Sequence, residues 1–173
     1  MFLELIATFI AGVAGAGIVM LLNKGLSGRL PRWLVPVGAG AAMIAATISN
    51  EYSWYGRTTA NLPGGIVVAQ TVESKAIYRP WTYAWPFVER FMAVDLASLR
   101  SNPSVPGQRI VDLLFFGRWA PVNKLPVLID CAGQRQAQLI DGAEFDATGA
   151  VTDADWAPVA ADNPAFKIVC EAT

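Results

Sequence analysis

The sequence predicts a membrane α-helical hairpin of two transmembrane helices, joined to a small extracytoplasmic domain, α+β or mainly antiparallel β, with one disulfide. Three observations point there. Two apolar runs, residues 2–22 and 33–49, flank a short basic loop. Strand-like alternation punctuated by Gly and Pro fills most of the chain beyond residue 60. Cys131 and Cys170 are the only thiols, enough for one bridge in an oxidising compartment. The expected plan is 1–50 for the hairpin, with spans at about 2–22 and 33–50 and a cytoplasmic loop at 23–32. Residues 51–173 form a periplasmic β-rich domain.

The first run holds 21 residues and one charge, Glu4. At about 1.5 Å per residue it matches the roughly 30 Å of a hydrocarbon core. A cleaved secretory signal would begin with basic residues, and none precedes the run. The second run has 17 residues, with Trp33 before it and Tyr52, Trp54 and Tyr55 just after. Such aromatics suit the two interfaces of a membrane helix. Pro36 falls in the first turn, where its missing N–H costs little. Gly12 and Gly15 on the first helix, and Gly38, Ala42 and Ala46 on the second, are small residues at the spacing that lets helix backbones approach.

The loop carries Lys24, Arg29 and Arg32 and no acid. Positive loops stay cytoplasmic, so the N-terminus and the C-terminal domain are expected in the periplasm of a bacterium, on the far side of the inner membrane. No ionisable residue lies at mid-membrane in either run, which argues against a transporter or proton relay.

After the hairpin, residues 61–65 (NLPGG) signal a loop and 66–73 a Val/Ile-rich strand. Residues 78–87 (YRPWTYAWPF) are the densest aromatic stretch, and two prolines keep them from forming a regular helix. Residues 87–99 fit a helix face as well as a strand, and are read as a helical turn followed by a strand over 91–96. Residues 101–107 read as a loop and 109–119 as an apolar strand. Asn123 and Lys124 read as a turn between Pro121 and Pro126. Leu125, Val127, Ile129 and Cys131 alternate onto one face, Ala132-Gly133 turns the chain, and Ala137 and Leu139 resume the alternation, as in a half-buried hairpin. Further turns are expected at Asp141-Gly142 and Thr148-Gly149. Phe166, Ile168 and Cys170 again alternate, so both cysteines are expected on the apolar faces of strands. They pair there or stay as two buried thiols.

The stretch 94–99 (VDLASL), the strand at 109–119, Ile129-Asp130-Cys131 with Arg135, Trp156, and Val169-Cys170 together resemble the surface-adhesin E-like family. The resemblance covers about residues 91–170. It implies a small antiparallel β-domain with a Cys131–Cys170 disulfide. Members of that family are commonly lipoproteins or exported through a cleaved signal. This chain departs from them in its two-helix anchor and its aromatic insert at 78–87, so adhesin activity is not carried over.

Chemistry is sparse. There is no histidine, which removes the commonest general base and most zinc sites. Glu73, Glu89, Asp95, Asp112 and Asp130 would need to converge in a cleft to do acid–base work. Asp141, Glu144, Asp146, Asp153 and Asp155 lack the ordered spacing of a calcium loop. No phosphate loop, dinucleotide fingerprint or nucleophile elbow is present. The net charge of −1 gives no field for nucleic acid. The expectation is a protein that is not an enzyme and holds no cofactor or metal. Its expected partners are membrane lipid and a larger integral membrane complex, respiratory or photosynthetic, that it serves as an accessory, assembly or scaffold subunit. The alternative is an anchored periplasmic binding module similar to surface-adhesin E proteins. Tyr52, Trp54, Tyr55, Tyr78, Trp81, Tyr83 and Trp85 are the candidate partner or membrane-surface patch.

Overall fold

A computed structural model describes residues 2–103, 105, 107–139, 146, 151 and 154–172. The chain divides into two compact units, Met1–Arg57 and Thr58–Thr173. The first contains helix α1, Phe2–Gly25, and most of helix α2, Leu34–Ala60. Among the described residues only α1 is long and apolar enough to cross a membrane. The run at 33–49 is helical as expected, but its helix continues for eleven residues past Ser49. Glu51 and Arg57 lie in that extension, so a second membrane crossing is not shown. The two helices are joined by a built turn. Gly28 and Ser27 adopt positive φ there, and the Leu30 amide donates to Asn23 Oδ1 at 2.9 Å.

The second unit is a curled six-stranded antiparallel sheet whose spatial order equals its chain order. Its strands are β1 (Ile66–Ser74), β2 (Phe87–Ser101), β3 (Gln108–Gly117), β4 (Ala120–Asp130), β5 (Arg135–Gln138) and the short β6 (Ala157–Pro158). Helix α3, Pro164–Glu171, closes one face. On that face Val94, Leu113 and Leu125 form one cross-strand row, and Val111 lies opposite Val127. Phe166, Ala165 and Val169 of α3 pack over them.

Three expectations are corrected. Residues 87–99 form no helical turn, because β2 is one continuous strand. Phe91, Ala93 and Val94 are all buried, so both faces of β2 are covered and the alternation that marks a strand is masked. Asn123 and Lys124 are not a turn but lie within β4, and the reversal comes earlier, at Arg118 and Trp119. The prolines are tolerated because β5 pairs β4 only over residues 127–130. Pro126 O accepts from the Leu139 amide, so its missing N–H points to the side where β5 has ended.

The cysteines also sit elsewhere than on two strands. The disulfide joins Cys131 to Cys170 with Cα atoms 5.8 Å apart. However, Cys131 opens the turn after β4, and Cys170 sits in the last turn of α3. Asn163 is the N-cap, its Oδ1 accepting from the amides of Ala165 and Phe166, and Pro164 follows at the first helical position. Arg109 reaches across from β3 and donates to the carbonyls of Val169 and Ala172 at the helix end. The turns expected at Asp141-Gly142 and Thr148-Gly149 lie outside the described residues.

The 94–98 stretch also acquires a physical role. The pairing of β2 with β3 is irregular between Asp95 and Arg100. Asp95 Oδ1 accepts from the Ala97 amide at 3.0 Å, and Ser98 Oγ donates to Asp95 O at 2.7 Å. The same hydroxyl accepts from the Asp112 amide at 3.0 Å. The motif is a staple for a β-bulge.

Candidate functional site

Within the helical unit, α1 and α2 approach closely at small residues. Gly12 and Gly15 are buried. A Cβ built on Gly15 would stand 2.5 Å from Ala42 Cβ and 2.7 Å from Gly38 O. One on Gly38 would stand 2.4 Å from Val19 Cγ2. Ala46 is half-buried further along α2. Glu4 and Arg57 approach to 4.0 Å, consistent with an antiparallel pair.

The aromatic candidates fall into two groups. Tyr52, Trp54 and Tyr55 belong to the helical unit, where Tyr52 is exposed and the other two are half-buried. Tyr78, Trp81, Tyr83 and Trp85 belong to the sheet unit, in the connection from β1 to β2, and all four are exposed together with Ile77. This connection is held from within. A 3-10 turn, Pro80–Tyr83, centres on Thr82, which is 1% exposed. Its Oγ1 donates to Arg79 O at 2.7 Å and accepts from the Ala76 amide at 3.0 Å. Arg79 lies over the Tyr78 ring at 5.4 Å. The β3–β4 turn shares this end of the sheet, since the Arg118 amide donates to Glu89 O at 3.2 Å. Trp119 is exposed there with the Arg118 guanidinium 4.8 Å above its ring. One end of the domain therefore presents five aromatic side chains, with guanidinium groups over two of them.

The opposite end of the β4–β5 hairpin holds a polar cluster. Asp130 is buried, and its Oδ atoms accept from the Gly133 amide at 2.9 Å and from Arg135 Nε at 2.8 Å. Burial pushes this carboxyl up. The Gly133 amide, the Arg135 guanidinium and the Ala132 amide outweigh it and hold the group below its ordinary range. Arg135 also lies 4.4 Å over the Trp156 ring. The residues singled out as Asp130, Cys131, Arg135 and Trp156 thus meet in one structural knot.

A cavity of about 480 Å³ opens on the sheet face that α3 covers further along. Its lining includes Val72, Met92 and Phe115, with Gln70, Arg90 and Asn123 as the polar members. None of these six is marked by the sequence as a site residue, and Asn123 is read there only as part of a turn. They form cross-strand rows, and a row has no signal in the order of residues along one strand.

Carboxylates do not gather into a catalytic cleft among the described residues. Asp95 and Asp112 stand opposite each other in register, but Asp112 is paired with Lys124 at 2.6 Å and Asp95 holds the bulge. Of the acidic stretch, Asp146 and Asp155 are described, while Asp141, Glu144 and Asp153 lie outside; no metal-holding group occurs among the described residues. No known protein family, curated protein or solved structure matches this chain.

Proposed function

We propose that this protein is a non-catalytic accessory, assembly or scaffold subunit of a bacterial inner-membrane complex. In this reading the first part of α2 crosses the membrane beside α1, the loop with Lys24, Arg29 and Arg32 is cytoplasmic, and the sheet domain works in the periplasm. The Cys131–Cys170 bridge supports an oxidising compartment. The observation that carries the proposal is the rigid aromatic end of the domain. Trp and Tyr are the residues that supply most energy in protein interfaces, and here they stand exposed on a turn braced by a buried threonine.

The test is purification of the tagged full chain in mild detergent. Co-migration with a larger membrane complex is expected, and it should be lost in a Tyr78→Ala/Trp81→Ala/Trp85→Ala variant whose disulfide still forms. Recovery of the wild-type chain as a lone monomer would sink the reading. The second reading, an anchored binding module similar to surface-adhesin E proteins, is favoured by the cavity on the sheet.

A further inference from the structure

We infer that the cavity on the β1–β4 face binds a single-chain amphiphile with an anionic head, through an apolar floor and the Arg90 guanidinium. The site lies wholly within the sheet unit and does not rest on the accessory-subunit reading.

Strand register assembles the lining. Behind the core row of Val94, Leu113 and Leu125, the next row across the four strands is Gln70, Met92, Phe115 and Asn123. The last row is Val72, Arg90, Gly117 and Ala120. On β1, β2 and β3 these rows project from one face, because partners in an antiparallel pair share a face and alternate residues repeat it. On β4 the register shift between Phe115 and Gly117 sets Ala120 opposite Gly117 at the rim of the same cavity. Helix α3 covers the first row. The later rows continue that face beyond α3, with no covering element among the described residues of the sheet unit, and Phe115 is 38% exposed.

The last row explains the hollow. Two of its four members, Gly117 and Ala120, have no side chain beyond Cβ, so the face is scooped out beside Arg90. The resulting volume of about 480 Å³ falls in the range of small-molecule sites. The floor is hydrocarbon and aromatic, which a polar metabolite would not reward. Arg90 is the only charged residue in the lining and forms no ion pair among the described residues. A guanidinium with open donors selects a carboxylate or phosphate head. Gln70 and Asn123 border the same opening and add amide donors and acceptors. An apolar body with one anionic head fits both halves of the lining.

The experiment uses the full chain in nanodiscs of zwitterionic phospholipid. The probes are a diazirine-bearing palmitate, the matching lysophosphatidate and the matching uncharged alcohol. Photolysis is followed by peptide mapping. Adducts are expected on the β2 and β3 peptides that carry Met92 and Phe115. Ala120→Phe, at an exposed position, should remove them by filling the hollow. Arg90→Gln, also exposed, should lower the labelling by either acid about tenfold or more, down to the level of the alcohol. The stronger of the two acid arms identifies the head as carboxylate or phosphate. Adducts confined to α1 and α2 would overturn the proposal. So would sheet labelling that neither variant changes, or equal labelling of the wild type by acid and alcohol.

Discussion

Replacing both Cys131 and Cys170 with serine cuts the tie between the end of β4 and the last turn of α3. The bridge spans 39 residues in sequence. On the chain-entropy model, a loop of that length contributes about 4 kcal/mol. That is nearly a thousandfold in an opening equilibrium. Native packing of α3 is untouched by the change, since Phe166, Val169 and the Arg109 contacts remain. The loss should therefore appear as easier opening, not as a different fold. Hydrogen exchange on the full chain in nanodiscs reads this at the α3 amides. Protection over residues 168–171 is expected to fall by two to three powers of ten, in line with about 4 kcal/mol. The strands β2 and β3 should lose less, because their ladders stay paired on both sides. A loss of protection under about tenfold in α3 would refute the reasoning, and would assign the closure of this face to the Arg109 contacts and side-chain packing.

Phe166→Ala, at a position 8% exposed in the core, should cost about 3–5 kcal/mol in denaturant unfolding. Thr82→Val strips two hydrogen bonds from the aromatic connection. It should cost about 1–3 kcal/mol, seen as faster exchange of the Ala76 amide. Gly15→Val cannot fit against Ala42 and Gly38. Spin labels at the exposed Val13 and Ile44 should report the helices moving apart. Asp130 has a depressed native pKa, so its contribution is present above its ordinary value of about 3.9 and is lost as pH falls through the lowered one. Asp130→Asn should therefore be less stable at neutral pH and show a flatter loss of stability below about pH 4.

The helices are readable from sequence because apolar runs of that length leave few alternatives, and a short loop between them forces the two to be neighbours. The end of α2 is concealed: nothing at Ser49 breaks a helix, so it runs on to Ala60. The hairpin of β4 and β5 is legible from the alternation of Leu125, Val127 and Ile129, but it is not half-buried: Leu128 and Asp130 on the other face are buried as well. The β3–β4 turn is not, because two prolines draw the reversal toward Asn123 while Arg118 and Trp119 carry no turn signature. In α3, the alternation of Phe166, Ile168 and Cys170 outweighs the stronger cue just before it, the Asn163-Pro164 start of a helix. The aromatic end is visible as composition, but its rigidity depends on Thr82, whose role emerges only when Arg79 and Ala76 fold around it. The cavity is invisible, since its floor is assembled from four strands that contribute a few residues each.

The placement of α3 has a consequence for the order of events during biosynthesis. The six strands follow one another as neighbours, so each can zip onto the last as the chain emerges. Their face bearing Val94, Val111 and Leu113 nevertheless stays bare until residues 165–170 are made. Seating those residues against β1 and β2 holds Cys170 beside Cys131, with the Cα atoms 5.8 Å apart. Until then the emerging sheet keeps its greasy side open, and the finished one is sealed by its own last helix.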